Sequence, residues 1–217
     1  MKTTLIKFSI AALAAACACG ATAAVIQTTG AASSVKTVLH AADFELNTTQ
    51  ANDYAEGGLL FRYTGSGNNN ECGYAGFDCY DDPSELGAGF AGNYMATAGN
   101  NAYVSVRKGD GSDFNFIEFA AGSGYASVFG HWKTYNDSVL TGSGNFSSPN
   151  GLILGLSDLA GFDEVRYFAF SSNGRTTGFS SAAIDSVRVG VPEPESMGMF
   201  GLGLLGMAGL LRRRKAK

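Results

Sequence analysis

The stretch YVSVRKGDGSDFNFIEF, residues 103–119, carries the pattern that decides the fold. In both arms, β-branched and aromatic residues alternate with polar ones, which is the period of a β-strand with one buried face. The Gly-Asp-Gly between the arms tolerates the positive φ that a tight connection needs. The stretch therefore predicts two strands joined as a β-hairpin. The apolar positions change phase between Phe116 and Ile117, which predicts a bulge or burial of both faces in the second arm.

Short segments of the same kind recur along residues 24–190, separated by clusters of Gly, Asn, Ser and Asp. They predict about nine strands, at residues 35–46, 58–63, 93–98, 102–107, 115–120, 126–132, 152–156, 164–171 and 182–189. The glycine-rich residues 141–150 are predicted to form a loop within the domain. Many short strands, glycine-rich turns and no helical period of useful length indicate an all-β domain, an antiparallel β-sandwich of the jelly-roll type.

The charge of this region narrows the choice of partners. Residues 24–191 carry 8 Lys and Arg against 17 Asp and Glu, a net charge of −9. Such a field disfavours nucleic acid and anionic lipid surfaces, and it is compatible with divalent cations or neutral polymers. We therefore expect no nucleic-acid partner.

The sequence holds no recognisable catalytic pattern. The two histidines, His40 and His131, have neither metal-site nor triad spacing, and no G-x-S-x-G motif is present. Residues 87–92 spell G-x-G-x-x-G, but no strand precedes them and no helix follows them, so a dinucleotide site is not indicated. No acidic residue stands in a setting that singles it out as a catalytic carboxylate. We expect a domain that is not an enzyme.

The first 23 residues have the parts of a secretory signal peptide. Lys2 and Lys7 precede an apolar run that is too short to span a bilayer, and small residues follow it. We expect cleavage after Ala23 and export of the mature chain. A rival interpretation is lipoprotein processing at Cys17.

Two cysteines remain after removal of such a leader, Cys72 and Cys79. An even pair in an exported chain is expected to form a disulfide, because thiols oxidise outside the cytoplasm. The alternative for this pair is a metal-binding or catalytic role.

The C-terminal region predicts a single short transmembrane helix. Residues 196–211 contain no charge, and at about 1.5 Å per residue they span about 24 Å as a helix, against about 30 Å for the hydrocarbon core. The basic tail, residues 212–217, begins with Arg212, Arg213, Arg214 and Lys215. Positive clusters stay on the cytoplasmic side, so the domain is expected outside the inner membrane.

Residues 191–217 resemble the PEP-CTERM sorting signal. Val191, Pro192, Glu193 and Pro194 form its Pro-Glu-Pro motif, and a Gly/Leu/Met-rich stretch and a basic cluster follow in the order of that family. The resemblance implies sorting by an exosortase, a membrane enzyme that often accompanies exopolysaccharide and biofilm genes. The two prolines favour extended backbone, which suits a motif that an enzyme reads as a strand.

A second resemblance concerns the domain itself. Asp43-Phe-Glu45 and residues 179–189 look like the first and last strands of sandwiches similar to carbohydrate-binding modules. That resemblance implies a structural Ca²⁺ held by Asp43, Glu45 and Asp185, whose hard oxygen ligands suit this ion. The alternative is that these carboxylates are ordinary strand and turn residues.

Trp132 and Tyr135 are candidate glycan contacts, because aromatic rings stack on sugar rings when they are exposed. The alternative for the single tryptophan is packing in the core or at its rim. Together these features predict an exported surface or matrix protein with a structural or adhesive role. The second hypothesis is a glycan-binding module that contacts exopolysaccharide.

Overall fold

The computed structural model describes residues 25–29, 37–45, 53–65, 76–77, 87–123, 128–148, 151–170 and 174–191. These residues form thirteen β-strands, and no helix occurs among them. The strands are β1 (Ile26–Thr29), β2 (Thr37–Ala42), β3 (Asp53–Glu56), β4 (Leu59–Thr64), β5 (Gly76–Phe77), β6 (Met95–Asn100), β7 (Tyr103–Lys108), β8 (Phe114–Ser123), β9 (Val128–Asn136), β10 (Val139–Ser148), β11 (Leu152–Phe162), β12 (Glu164–Phe170) and β13 (Phe179–Val191).

The strands pair as two antiparallel sheets. The first sheet has the order β1-β11-β8-β13, and β6 and β2 pair with successive stretches of β13, with β5 added to β6. The second sheet has the order β10-β9-β12-β7-β4-β3. A single pairing, Phe170 with Ser180, joins β12 to β13 where the two sheets meet.

The two sheets pack face to face over an aromatic and aliphatic core. The rings of Phe119 in β8 and Tyr167 in β12 lie 5.6 Å apart in an edge-to-face arrangement, across the interface between the sheets. The hydroxyl of the buried Tyr167 donates a hydrogen bond to the carbonyl of Gly122, at 3.1 Å. Full burial of side chains of this size contributes about 1.5–3 kcal/mol each. The all-β fold class and the antiparallel sandwich predicted from the sequence are confirmed.

The predicted hairpin at residues 103–119 is wrong. Both arms are strands, but β7 pairs with β4 and β12, whereas β8 pairs with β11 and β13. The Gly-Asp-Gly connection therefore carries the chain from one sheet to the other. The predicted burial of both faces of the second arm is confirmed, because Ile117 and Phe119 lie in the main core while Ala120 packs with Phe90 and Tyr94 on the outer side.

The predicted loop at residues 141–150 is also wrong over most of its length. Residues 141–148 belong to β10, which pairs with β9. Gly144 faces the core against Trp132: a Cβ at Gly144 would lie 2.5 Å from Cζ2 of the indole. Glycine here makes room for a large neighbour instead of marking a turn.

Several predictions fall on residues outside those that the structure describes. They are the signal peptide, the disulfide of Cys72 and Cys79, the membrane helix at 196–211, and the residues Pro192, Glu193, Pro194, Arg212, Arg213, Arg214 and Lys215. Within the described part of the chain, no helix is long and apolar enough to cross a bilayer.

Candidate functional site

A first candidate site is the cavity of about 390 Å³ between the end of β2 and β13, which Asp43, Glu45 and Glu56 line. Asp185 lies beside it in β13, with its side chain 1% exposed. The structure thus brings the three carboxylates predicted for calcium to one region of the sandwich.

Two of these carboxylates hold the loop that precedes β6. The backbone N–H of Ala91 donates to Asp185 Oδ2 at 2.9 Å, and that of Asn93 donates to Glu45 Oε1 at 3.0 Å. The hydroxyl of Ser186 donates to the carbonyl of Gly89 at 2.8 Å. This loop contains the G-x-G-x-x-G sequence and leads into a strand, so it has no helix N-terminus for a pyrophosphate.

The environment of Asp185 favours its protonated form. Burial raises the pKa of Asp185 to about 6, and the negative charges of Glu45 and Asp43 act in the same direction. Hydrogen bonds from the backbone of Ala91 and Ser186 oppose this rise.

These carboxylates do not form a ligand set in the described residues. No three His, Cys, Asp or Glu side chains come together there in a group that could hold a metal ion. Calcium binding by Asp43, Glu45 and Asp185 stays a prediction.

A second candidate site is the outer surface of the second sheet, formed by the outward-pointing side chains of β4, β7, β12 and β9. We call it the cationic face. Inward positions of these strands, such as Phe61, Val104 and Val165, are buried in the core. The register of the four strands aligns outward positions in a row that crosses the sheet. The row reads Arg62, Ser105, Arg166 and Lys133.

Arg166 is the centre of the cationic face. Its guanidinium carbon lies 5.0 Å from the ring centroid of Tyr103 and 4.2 Å from that of Tyr135, so the two rings flank the charge. Its Nε and Nη2 donate to Glu164 at 2.7 and 3.0 Å. Arg107, 53% exposed, donates to the same carboxylate at 2.6 Å.

Glu164 is the buried counter-ion of these two arginines. Burial raises the pKa of Glu164, but the hydrogen bonds from Arg166 and Arg107 outweigh it, and the pKa lies below its ordinary value. The carboxylate is therefore ionised at neutral pH, and it fixes both guanidinium groups against the sheet.

Aromatic rings continue this surface beyond Arg166. The rings of Tyr103 and Phe168 lie 5.1 Å apart, and His131 lies 5.6 Å from Phe168. The ammonium of Lys133 lies 5.3 Å from the Phe168 ring. A cavity of about 290 Å³ lies on the part of the cationic face formed by β4, β7 and β12, where Arg62, Tyr103 and Arg166 contribute to its lining.

The two predicted glycan contacts lie on opposite sides of β9. Tyr135 is on the cationic face, half-buried beneath Arg166. Trp132 points into the core, is 3% exposed, and donates from Nε1 to Gln27 Oε1. This burial corrects the prediction for Trp132, because a buried indole has no free face on which a sugar ring could stack.

Four residues of the cationic face were not predicted from the sequence, namely Arg62, Tyr103, Lys133 and Arg166. The sequence did contain a hint of this surface, because all four residues occupy outward positions of their strands and three of them are cations in a region where cations are scarce. Their assembly into one row depends on which strands are neighbours, and the sequence does not reveal that order.

The described chain ends at the beginning of the C-terminal motif. Gly190 pairs with Val38, and Val191, the last residue of β13, pairs with Thr37 of β2. The folded sandwich is therefore continuous with the first residues of the segment that follows.

Residues 190–215 match the family of the PEP-CTERM protein-sorting motif. The resemblance inferred from the sequence is confirmed, and the chain carries a protein-sorting signal directly after its sandwich. A search of curated proteins found no match.

Solved structures with a similar backbone include proteins with bound sugars. The family 32 carbohydrate-binding module of Clostridium perfringens NanJ, in complex with galactose, has 17% identity and a TM-score of 0.37, covering 60% of this chain and 92% of that one. Two such modules of C. perfringens ZmpB, in complex with GalNAc, have 10% identity and a TM-score of 0.34, covering 70% and 42%. A Ruminococcus gnavus GH29 fucosidase, in complex with fucose, has 9% identity and a TM-score of 0.33, covering 63% and 26%. Because all three TM-scores are below 0.5, we transfer no function from these proteins to this chain.

Proposed function

We propose that this chain is an exported protein of the cell surface or extracellular matrix, sorted through its C-terminal motif, with a non-catalytic structural or adhesive sandwich. The observation that carries the proposal is the sorting-motif match over residues 190–215, which begins inside the last strand of the folded domain. A leader at residues 1–23 would direct the chain to the export machinery.

The junction between domain and motif favours recognition close to the membrane. Because Val191 is paired within β13, the Pro-Glu-Pro sequence begins at the edge of the folded module. Residues 196–211 would lie in the inner membrane, and the basic tail would hold the chain in place from the cytoplasmic side. An exosortase-like enzyme would then meet the motif just outside the bilayer and release the sandwich.

The contacts of the titratable groups support a non-catalytic role. Glu164 binds two arginines, and Asp185 and Glu45 bind backbone amides of one loop. The imidazole Nδ1 of His40 lies 2.8 Å from the carbonyl oxygen of Gly57, and that of His131 lies 2.6 Å from the amide oxygen of Asn145. These groups serve to hold strands and loops together.

Replacement of Pro192 and Pro194 by alanine tests the sorting proposal. Alanine removes the bias toward extended backbone, so an enzyme that reads this shape should no longer process the chain. We expect the double variant to stay cell-associated at full length. Pro149→Ala, a proline substitution 43 positions before Pro192 in the sequence, is the matched control and should be released like the wild type. Release of the double variant at the wild-type rate would overturn the proposal.

Glycan binding is the second candidate function. The rings of Tyr103 and Tyr135 on the cationic face favour it, and Tyr103 also lines a cavity of about 290 Å³. Affinity electrophoresis of the protein through gels that contain polysaccharide tests it. Retardation by at least one glycan supports glycan binding, and uniform mobility through neutral and acidic glycans would exclude it.

A further inference from the structure

We propose that the cationic face binds an acidic polysaccharide, a glycan polymer that carries carboxylate groups. This inference rests on the glycan-binding candidate above, and it adds the site and the chemical class of the ligand. The site consists of the row Arg62, Ser105, Arg166 and Lys133, with Tyr103 and Tyr135 on either side of Arg166.

The distribution of charge is the first argument. Residues 24–191 have a net charge of −9 and contain eight Lys and Arg residues in all. Four of the eight lie on the outer surface of β4, β7, β12 and β9, namely Arg62, Arg107, Lys133 and Arg166. The carboxylates that pair with them are Asp53 and Glu164, so this surface has a local excess of positive charge. A positive surface on an acidic domain attracts an anion, although the net charge alone suggested neutral partners.

The geometry of the row is the second argument. Adjacent strands lie about 4.8 Å apart, so the line from Arg62 to Lys133, which crosses three strand spacings, is about 14 Å long. A polymer that lies across the strands would meet a cation at three of the four positions in this line. Because Glu164 and the two tyrosine rings fix Arg166, its side chain loses little conformational freedom when a ligand binds.

The chemistry of the side chains is the third argument. Arg62 and Arg166 direct Nε and Nη2 at Asp53 and Glu164, and Arg107 directs Nη2 at Glu164. A guanidinium has five N–H donors, so Arg62 and Arg107, which are 64% and 53% exposed, keep further donors for the carboxylates of a ligand. The aromatic rings beside Arg166 offer apolar surface to sugar rings. Ser105 lies between the cations but is only 4% exposed, and its hydroxyl donates to the carbonyl of Arg62 at 3.3 Å, so the cations and not this hydroxyl would contact a ligand. A row of cations with aromatic rings beside it suits a charged sugar polymer.

A nucleic acid and a second copy of this chain are competing occupants. The overall charge of −9 repels a polyphosphate at long range, because the phosphate backbone is a much denser anion than a polysaccharide with one carboxylate per sugar. A second copy could supply acidic side chains, and the experiment below measures that alternative directly.

The test uses the full-length protein in detergent and two probes that differ only in charge, polygalacturonate and its fully methyl-esterified form. We expect wild-type protein to bind polygalacturonate, to bind the ester at least about tenfold more weakly, and to lose affinity as salt rises, since ionic contacts are screened. Equal binding of both probes would overturn the inference while leaving glycan binding intact. Binding of neither probe, together with uniform mobility through other glycans, would remove both proposals.

Single substitutions on the cationic face and on the other sheet test where polygalacturonate binds. Lys133→Gln and Arg62→Gln should each weaken polygalacturonate binding about fivefold, as expected for loss of one ionic contact. Arg188→Gln removes the same charge from an exposed position of the other sheet and should bind like the wild type. Equal affinity for all three variants and the wild type would overturn the assignment to the cationic face. Tighter binding of single-stranded DNA than of polygalacturonate, or a dimer that Lys133→Gln dissociates, would also overturn it.

Discussion

At the scale of single residues, Asp185 shows how a buried carboxylate serves this fold. Its two oxygens accept backbone N–H groups of Ala91 and Ser186, and this joins the loop before β6 to the last strand. Burial nevertheless disfavours its charge, and its pKa rises to about 6. The residue therefore links stability to pH.

Asp185 contributes more to stability at acidic pH than at neutral pH. Between pH 3.8, the ordinary pKa of the carboxyl group, and about 6, the folded state binds more protons at Asp185 than the unfolded state does. Stability from this group is thus greatest below the unfolded pKa and falls as the pH rises, by on the order of 2–3 kcal/mol in total. Asparagine does not titrate, so the stability of Asp185→Asn lacks this pH dependence. We expect the free energy of unfolding of the wild type, relative to Asp185→Asn, to decrease between pH 4 and pH 7 in urea titrations with a chelator present.

The same titration examines calcium. A difference between wild type and Asp185→Asn that stays constant with pH would contradict the assigned environment of Asp185. If Ca²⁺ in place of the chelator reverses the trend, the ion favours the ionised carboxylate, as binding by Asp43, Glu45 and Asp185 requires.

Gly144 gives a second prediction at the residue scale. A Cβ there would lie 2.5 Å from the Trp132 ring, which is buried and bonded to Gln27. Gly144→Ala should lower the free energy of unfolding by about 1–3 kcal/mol, because the core has no room for the methyl group. Ser143→Ala, at the adjacent exposed position, should change it by less than about 0.5 kcal/mol. Fluorescence of the single tryptophan follows unfolding, and equal stability of the two variants would refute this packing.

At the scale of elements, the sequence predicted strands better than it predicted their partners. All nine predicted segments coincide with strands, because alternation and β-branched residues are local signals. Pairing is not local: the turn after β7 has the residues of a hairpin, yet its two strands join different sheets. The sequence did not predict β1, β3, β5 or β10. The first three are short, and β10 contains glycines that are typical of a loop.

The cationic face likewise depends on strand pairing, which the sequence does not reveal. Tyr135 could be proposed from its residue type and position, whereas Trp132 in the same strand could not be assigned to core or surface. The partners of Tyr135 on the cationic face come from β7 and β12, which are 32 and 31 positions away for Tyr103 and Arg166. No spacing rule joins residues at such separations, because the order of strands in the sheet decides their contacts.

The position of β13 leads to a prediction at the element scale. Its middle section pairs with β8 on one edge and with β6 or β2 on the other, whereas β3 pairs with β4 at the edge of the second sheet. Amides of residues 182–189 should therefore exchange hydrogen roughly 100-fold more slowly than those of β3. Hydrogen exchange read by mass spectrometry checks this order. Comparable rates in the two strands would contradict the central place of β13.

At the scale of the whole molecule, the last strand of the sandwich reaches the first residues of the sorting motif. The last residues of β13 pair with β2, and the strand ends at Val191. Val191 lies within residues 190–215, which match the sorting motif. The acidic module presents its cationic face on the second sheet, while the motif leaves from the first sheet.

The most direct test of the sorting account is the intact mass of the protein recovered from outside the cell. We predict a chain that begins near Ala24 and ends between Val191 and Glu195, which leaves the sandwich complete and removes the membrane segment. A recovered chain that still carries Arg212 to Lys217 would contradict the account and indicate a plain membrane anchor.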